Sequence, residues 1–204
     1  MATDPRTEGP ALRPGRGRRP AEQVRAVVLD AAARQLFEAG LPAVTFEKVA
    51  ARAGVSKMTL YKWWPSPGAL ALDAYSRAVQ PTLAFPDTGD LAADLRSQLL
   101  AFVGLLSDER SGPVIAGLVG AAQSDPVLAA SFATYYTRPR RQLAVDRLTA
   151  ARRSGQVRED VDLEAVVDQL WGACYHRLLL PDAPLDAGFV DALLGNLLRG
   201  ITPR

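Results

Sequence analysis

The sequence predicts an all-α protein of about nine helices, divided into a small N-terminal and a larger C-terminal helical domain. Apolar residues recur at three- and four-residue steps along most of the 204-residue chain, and this is the spacing of one helix face. Residues that cap or break helices separate the apolar segments. No segment alternates apolar and polar residues between hairpin signals, so no β-sheet is predicted.

Residues 1–19 are predicted to form a flexible basic arm, because they contain proline and glycine breakers and no apolar periodicity. From Pro20 onward the pattern predicts a helix, since proline suits the first helical position, where no N–H is needed. Gly40 ends this helix and Pro42 prevents its continuation. Its apolar face holds Val24, Val28, Leu29, Ala32, Leu36 and Phe37.

Residues 44–64, VTFEKVAARAGVSKMTLYKWW, predict two short helices joined by a tight turn. Thr45 and Ser56 can each accept a hydrogen bond from an unpaired N–H in the first turn of a helix. Gly54 can take positive φ without steric cost and so end the first of the two helices. An apolar residue before each cap can pack against one in the next turn, in the pairs Val44–Val49 and Val55–Leu60.

This pattern describes a helix-turn-helix, whose second helix can lie in the major groove of DNA. An ordinary helical hairpin is the alternative. In the first interpretation Lys57 can donate to guanine, and Met58 or the methyl group of Thr59 can touch a thymine methyl. Tyr61 and Lys62 come later in the helix and are expected to reach phosphates, which position the protein without reading sequence.

The cap residues and the arm complete the expected DNA contacts. Thr45 can reach a phosphate through its hydroxyl and backbone. Ser56 is also expected to contact DNA. The arm lacks acidic residues between positions 9 and 21 and can follow phosphates or enter the minor groove. A solubilising terminus is the alternative. The contacts expected from the arm are Arg16, Arg18 and Arg19.

The two adjacent tryptophans after the second short helix have different expected roles. One of Trp63 and Trp64 should anchor the domain core, while the other flanks the DNA backbone. The sequence does not distinguish them.

A linker after the helix-turn-helix marks a domain boundary. Ser66 can cap a fourth helix that begins at Pro67 and reaches about residue 80. Pro81 and Pro86 then bound the linker, so we assign residues 20–80 to the first domain and 81–204 to the second. Asp90 and Asp162 can cap two of the later helices. The helices predicted in the second domain span 90–107, 112–123, 125–153, 162–180 and 186–200.

Charge and composition narrow the classes of function. Residues 1–80 hold 12 Lys/Arg and 7 Asp/Glu, a net of +5, whereas residues 81–204 hold 12 and 15, a net of −3. A basic head on a mildly acidic body suits a nucleic-acid-binding protein. Cys174 and His176 are the only residues of their types, so we expect no metal site, no cofactor and no enzymatic activity. The start lacks a signal-peptide core and no run of about 18 apolar residues occurs, which predicts a cytoplasmic protein without a membrane span.

Residues 25–75 resemble the tetracycline-repressor (TetR) family of bacterial transcriptional regulators. The match runs through Arg25, Leu29-Asp30-Ala31-Ala32, Leu36-Phe37, Gly40, Thr45, Val49-Ala50, Ala53-Gly54-Val55-Ser56 and Leu60-Tyr61. The rest of the chain resembles the family in length and helix layout, and residues 155–180 look like one common effector-domain subgroup. One position departs from the family pattern: Pro67 stands where members usually place a lysine that approaches a DNA phosphate.

The resemblance implies a homodimer on a palindromic double-stranded operator, joined through the last two helices. Their small residues and an apolar stripe suit close helix contact, although an intramolecular core explains the stripe equally well. These residues are Gly172, Ala173 and Gly195, with Leu193, Leu194, Leu197 and Leu198.

The resemblance also implies a small-molecule pocket in the second domain, whose occupation changes the separation of the two DNA-binding heads. The set of candidate residues is aromatic with few charges, so we expect a small, mainly apolar effector with one hydrogen bond to tyrosine or histidine. Each residue could instead belong to the core. The candidates are Phe102, Leu106, Leu118, Phe132, Tyr135, Tyr136, Trp171, Tyr175 and His176.

The sequence therefore predicts a ligand-responsive transcriptional regulator, a repressor rather than an activator, released from its operator by the effector. Two alternatives remain open. One is a regulator that responds to a protein partner or to nothing, and the other is a helical enzyme or scaffold in which residues 44–64 form only a hairpin.

Overall fold

The computed structural model describes residues 20–202 and shows ten α-helices. A π-helical turn, Ala133–Thr137, joins α7 to α8 without a break, so the described residues form nine separate helical rods and no strand. The all-α prediction is confirmed. The helices are α1 (Ala21–Ala39), α2 (Phe46–Ala53), α3 (Lys57–Trp63), α4 (Pro67–Val79), α5 (Leu91–Ser107), α6 (Ser111–Ala122), α7 (Pro126–Phe132), α8 (Arg138–Arg153), α9 (Leu163–Leu179) and α10 (Ala187–Ile201).

Side-chain caps define most of these helix starts. Each cap predicted from the sequence accepts a hydrogen bond from a backbone N–H in the first turn, namely Thr45, Ser56, Ser66, Asp90 and Asp162. Two starts differ by one residue from the prediction. Pro20 occupies the cap position of α1 rather than its first turn. Helix α6 begins at Ser111, because Asp108 Oδ1 accepts from the Ser111 N–H at 2.8 Å and fixes the turn there.

The π-helical turn is a feature that the sequence analysis did not predict, and Pro139 explains it. Proline in a continuous helix lacks the N–H that would donate to the carbonyl four residues earlier, here that of Tyr135, and its ring crowds that carbonyl. The helix widens instead, so that the Arg138 N–H donates to Ala133 O, five residues back. The Tyr135 carbonyl accepts from the Ser76 hydroxyl of α4 at 2.7 Å.

Helix α4 lies at the centre of the packing. It packs against α1 on one side and against α7 and the π-helical turn on the other. Its buried residues cover nearly the whole circumference, from Ala69 to Tyr75 without a gap. A helix that is apolar on all sides is stable only inside a protein, and α4 therefore connects the α1–α3 region to the larger C-terminal part. None of the helices between residues 20 and 202 is long and apolar enough to span a bilayer.

Gly112 and Gly117 provide a matched pair of substitutions within α6. A Cβ on Gly112 would lie 2.2 Å from the backbone oxygen of Leu106, whereas no atom that the structure describes beyond the local helix lies within 4 Å of a Cβ on Gly117. Gly112→Ala should destabilise the protein by about 1–3 kcal/mol or more, because backbone must move. Gly117→Ala should stabilise it by about 0.5–1 kcal/mol, because alanine loses less entropy in a helix. Urea unfolding measures both, and equal effects would contradict the close approach of α5 and α6.

Candidate nucleic-acid interface and C-terminal cavity

The turn between α2 and α3 has the geometry that its glycine permits. Gly54 adopts a left-handed conformation with φ 65° and ψ 37°. The Val55 N–H donates to Ala50 O at 3.0 Å, which satisfies one of the last carbonyls of α2. On the far side, the Ser56 hydroxyl accepts from the Thr59 N–H at 3.2 Å and starts α3. These local bonds fix the direction in which α3 leaves the turn.

One side of α3 is buried and the other is open to solvent. Leu60 is fully buried, as the sequence predicts. We define the outer face of α3 as Lys57, Met58, Tyr61 and Lys62, all of which are exposed. Met58 and Tyr61 have 75% and 61% of their surfaces exposed, which is high for large apolar side chains. The outer face therefore has the mixed basic, aromatic and apolar character of a contact surface.

Neighbouring residues hold the outer face in place. The ring of Tyr61 meets Phe46 of α2 edge to face, with centroids 4.7 Å apart. Lys57 Nζ lies 3.5 Å from Glu47 Oε1, and both side chains are mostly exposed. The Ser56 and Thr59 hydroxyls lie 3.0 Å apart and bond each other. Lys57 and Tyr61 therefore have preferred orientations before any partner binds.

Trp64 anchors this region, and Trp63 does not. Trp64 is 1% exposed, and its indole Nε1–H donates to Asp73 Oδ2 of α4 at 2.8 Å. Arg25 of α1 bonds the same carboxylate oxygen, and its guanidinium lies 5.6 Å from the centre of the Trp64 ring. Trp63 is only partly buried. The bonds around Asp73 connect α1 and α4 to the end of α3.

The starts of α2 and α4 meet beside α3 at a surface groove of about 330 Å³, which we call the α2–α4 groove. Pro67 occupies the first turn of α4, so no cation stands at that position. Arg16, Arg18 and Arg19 of the predicted arm lie outside the described residues. The lining residues include Thr45, Glu47, Lys57, Tyr61, Ser66 and Pro67.

The C-terminal cavity is a second candidate site, with a volume of about 250 Å³, between α5, the π-helical turn, α8 and α9. Four residues expected from the sequence line it: Phe102, Tyr136, Trp171 and Tyr175. Phe132 lines an adjoining cavity of about 500 Å³, and Thr137 and Tyr175 form part of both. The remaining lining residues of the C-terminal cavity are Phe85, Thr137, Arg140, Arg141, Ala144, Val167, Asp168 and Gly172.

Four other residues proposed from the sequence do not line the C-terminal cavity. Leu106 and Leu118 are buried in the core. Tyr135 lines a separate groove with Pro65, because adjacent residues of a helix point to different sides of it. His176 is exposed, since it follows Tyr175 on α9 and points to another side of the helix.

Sequence reasoning missed the charged residues of this cavity, although a helical spacing could have found them. The residues contributed by α8 and the turn before it are 136, 137, 140, 141 and 144, and those of α9 are 167, 168, 171, 172 and 175. Both series follow one helix face. Starting from Tyr136, the residues four and five positions later are Arg140 and Arg141.

The polar groups of the cavity form two separate clusters. The Tyr175 hydroxyl donates to the Tyr136 hydroxyl at 3.4 Å, and burial raises the pKa of both phenols. Arg141 bonds Asp168 and lies 2.7 Å from Glu164 Oε2. The hydrogen bonds to these two carboxylates raise the pKa of Arg141. The phenols therefore stay protonated at neutral pH and Arg141 stays charged.

Comparison with known proteins identifies the chain. Residues 28–74 match the family described as bacterial regulatory proteins, tetR family, and residues 85–197 match the tetracyclin repressor-like C-terminal domain. The chain belongs to the TetR family. The HTH-type transcriptional regulator YdeS of Bacillus subtilis (strain 168) is 35% identical over 186 residues, covering 91% of this chain and 93% of that protein.

Two further TetR-family relatives support the assignment. The crystal structure of the TetR family transcription regulator SCO0332 is 55% identical, with a TM-score of 0.82, and covers 89% of this chain and 100% of that one. The DNA-binding transcriptional repressor TetR of Mycobacteroides abscessus is 28% identical over 179 residues, covering 85% of this chain and 90% of its own. TetR-family regulators are non-enzymatic transcription factors, so the chain is a helix-turn-helix transcription regulator.

The remaining chemistry-bearing side chains fit this assignment. Cys174 is buried, and burial raises the pKa of its thiol to about 12. A thiol with so high a pKa is unreactive at neutral pH. In residues 20–202 no cluster of three or more histidine, cysteine, aspartate or glutamate side chains could hold a metal ion.

Proposed function

We propose that this TetR-family regulator is a repressor that binds a palindromic operator as a homodimer and releases it when a small ligand occupies the C-terminal cavity. The outer face of α3 is the observation that carries the DNA-binding part of the proposal. It presents two lysines, a tyrosine and a methionine to solvent on a helix held rigidly by its cap, by Phe46 and by the Trp64 anchor. Rigid presentation reduces the ordering cost of binding.

The position of each residue on this face supports a division of labour. Lys57 and Met58 are in the first turn of α3 and are assigned to base edges together with Thr59, which is half-buried beside Ser56. Tyr61 and Lys62 are assigned to phosphates. The amino ends of α2 and α4 both open onto the α2–α4 groove and favour an anion there, and Lys57 lies 3.5 Å from Glu47, the carboxylate that lines it. Thr45 is assigned there as the cap of α2, and Ser56 is assigned to DNA at the start of α3, which it caps.

Dimerisation is assigned to α9 and α10. Leu179 and Leu180 are exposed at the end of α9, and Leu193, Leu197 and Leu198 of α10 are only partly buried by the chain itself. Leu194 lies in the core of the chain, 4% exposed. The leucine stripe is thus divided between an internal and an external role. Two heads on a two-fold dimer would contact two half-sites one helical turn apart or a multiple of it.

Release by a ligand is assigned to the contact between the C-terminal cavity and α4. Tyr136 lines the cavity, and its ring centre lies 5.9 Å from that of Tyr75 on α4. The next residue of α4, Ser76, donates to the Tyr135 carbonyl that Pro139 leaves without its usual helical partner. A ligand that repositions the π-helical turn would therefore move α4, to which Asp73 ties the end of α3. Repression rather than activation is assigned by analogy with the Mycobacteroides abscessus relative, whose name describes a repressor.

Alanine substitutions on α3 test the DNA-binding proposal. Lys57→Ala should reduce the preference for operator over random DNA by about 1–3 kcal/mol, because a base contact is lost. Lys62→Ala should weaken binding to both DNAs and reduce the slope of log K against log salt by about 1 per head, because a phosphate contact is lost. Fluorescence anisotropy with an operator selected from random DNA measures both quantities.

A charge control separates these effects from a general loss of positive charge. Arg153→Ala, at the exposed end of α8, removes one charge far along the chain from α3 and should leave preference and salt slope unchanged. Sedimentation of the complex should give two chains on each palindromic duplex. If Lys57→Ala and Lys62→Ala both bind operator and random DNA like the parent, the assignment of α3 is wrong.

A further inference from the structure

Arg140 is the least compensated charge in the C-terminal cavity. Among residues 20–202, no carboxylate lies within ion-pair distance of its guanidinium. Its polar contact there is one N–H donated to Leu83 O at 3.4 Å, and its charge lies 5.9 Å from the centre of the Tyr136 ring. A guanidinium has five N–H donors. Most of its hydrogen-bonding capacity therefore remains available to a ligand.

Two phenol groups beside Arg140 also have unused donors. Tyr136 accepts from Tyr175, but within the described part of the chain its own O–H has no acceptor. The hydroxyl of Tyr75, behind Tyr136, is buried without a hydrogen-bond partner among residues 20–202. Burial raises the pKa of Tyr75 and of Tyr136, so both remain neutral donors. A buried donor without an acceptor is costly, and a ligand acceptor near Tyr136 would remove that cost.

The carboxylate that lines the cavity is already paired with an arginine. Asp168 is the lining carboxylate, and Arg141 bonds it from the adjacent helix and also bonds Glu164 on the rim. The Thr137 hydroxyl donates to Phe132 O at 3.4 Å. The cavity thus has spare donors at Arg140 and Tyr136, while the carboxylate that lines it is paired with Arg141. An acceptor-rich, negatively charged group satisfies this imbalance, whereas a neutral apolar ligand would leave it in place.

The remaining walls restrict the rest of the ligand. The rings of Phe85 and Trp171 lie 6.2 Å apart on one part of the wall, and Phe102 meets Tyr175 edge to face at 5.6 Å on another. Aromatic walls favour a flat, apolar body. The volume of about 250 Å³ lies just below the usual range of ligand pockets, about 300–1,000 Å³. The body must therefore be small.

We propose that the C-terminal cavity binds a small aromatic carboxylate, with the carboxylate at Arg140 and Tyr136 and the ring system against Trp171, Phe85 and Phe102. This inference rests on the proposed ligand response and specifies its ligand class. It retains the apolar body expected from the sequence but replaces the single neutral hydrogen bond, and His176 has no part in it. Arg140 is the residue that selects acids over neutral analogues.

The test compares an acid with an amide of the same shape by isothermal titration of the full chain without DNA. The two pairs of probes are 2-naphthoate with 2-naphthamide and benzoate with benzamide. At least one acid should bind about tenfold or more tightly than its amide, since a hydrogen bond to a charged group contributes more than a neutral one. Arg140→Gln should remove this preference while the amide affinity stays unchanged.

Two further variants control for structure and position. Arg138→Gln changes an exposed arginine two residues earlier, outside the lining of the cavity, and should retain the preference. Tyr136→Phe should weaken acid binding by about tenfold, because the second donor is lost. Thermal unfolding should match the parent for Arg138→Gln, whereas Tyr136→Phe should unfold cooperatively at a lower temperature, because the Tyr175 hydroxyl loses its acceptor. If Arg140→Gln does not fold, Tyr136→Phe still tests the carboxylate contact, and unchanged acid binding by that variant would contradict it.

Three results would overturn the inference: no acid binding at concentrations up to about 1 mM, equal affinities for acid and amide, or a preference that survives Arg140→Gln. Failure of the proposed function gives a different result. An acid that binds by titration but does not release operator DNA contradicts the proposed ligand response and leaves the ligand class intact. A chain that does not bind operator would contradict the proposed function, but the titrations of acid and amide, which contain no DNA, would still test the ligand class.

Discussion

Arg147→Ala is expected to lower the free energy of unfolding by about 3–5 kcal/mol, among the largest effects of any single substitution in this chain. The Arg147 and Asp94 side chains are only 5% and 1% exposed, and Arg147 Nε donates to Asp94 Oδ2 at 2.8 Å. The pair joins α8 to α5. Removing the guanidinium leaves a buried carboxylate without a cation, and Thr88, which donates to Asp94 through its N–H and hydroxyl, cannot replace that charge.

Urea unfolding of the parent and the variant measures this loss, and a surface pair provides the control. Arg96 and Asp191 join α5 to α10 with a similar Nε–Oδ1 distance of 2.7 Å, but about half of each side chain is exposed. Arg96→Ala should therefore cost far less, because water replaces the lost partner. The double variant Arg147→Met with Asp94→Leu should recover most of the stability. Equal losses from Arg147→Ala and Arg96→Ala would show that burial does not control the energy of the pair.

The loss from Arg147→Ala should also depend on pH. Burial raises the pKa of Asp94, but hydrogen bonds from Thr88 and Arg147 outweigh that effect, so the pKa in the folded protein lies below its ordinary value. The pair therefore contributes its full stability above the unfolded pKa of about 3.9. That contribution is lost as pH falls through the folded pKa. The difference between parent and Arg147→Ala should be constant near neutral pH and shrink below about pH 4.

Local rules account for the parts of the fold that the sequence predicts well. Thr45, Ser56 and Gly54 act on neighbouring backbone atoms, so their roles follow from residue type and spacing alone. The burial of Leu60 follows from helix periodicity. The domain boundary near residue 80 stays a prediction, since α4 packs both against α1, which precedes the boundary, and against α7, which follows it. These successes concern interactions that span only a few residues.

Interactions between distant segments explain what the sequence did not predict. Pro139 signals an irregular helix, but its consequence, the bond from Ser76 to Tyr135 O, joins positions 59 residues apart. The aromatic candidates follow from residue type alone, and aromatic residues occur both in cores and in cavities. Tyr135 and Tyr136 are adjacent and point to different sides of the helix, and which side meets the cavity depends on the neighbouring helices. Arg140 was missed because a charged residue was not expected at an apolar site.

Trp63 and Trp64 show the same limit, because adjacent residues of one type cannot be ranked without their surroundings. The backbone N–H of Trp64 donates to Leu60 O at 2.9 Å at the end of α3, while the indole N–H donates to Asp73 in the interior. Trp63 packs its ring edge to face on Trp64, with centroids 5.6 Å apart. Helix α3 has only seven residues, too few to be stable in isolation. Its orientation therefore depends on how firmly Trp64 is held.

Trp64→Ala is expected to destabilise the protein by about 3–5 kcal/mol, because a fully buried indole leaves a large cavity. Trp63→Ala, its matched control, should cost much less, since Trp63 is partly exposed. Trp64→Phe should cost about 1–3 kcal/mol. It keeps an aromatic ring but removes the indole N–H that donates to Asp73, which retains its bond from Arg25. Operator affinity, measured where each variant is still folded, should fall most for Trp64→Ala, because α3 is no longer fixed against α1 and α4. If Trp63→Ala impaired stability and operator binding as much as Trp64→Ala, Trp64 would not be the anchor of the DNA-binding helix.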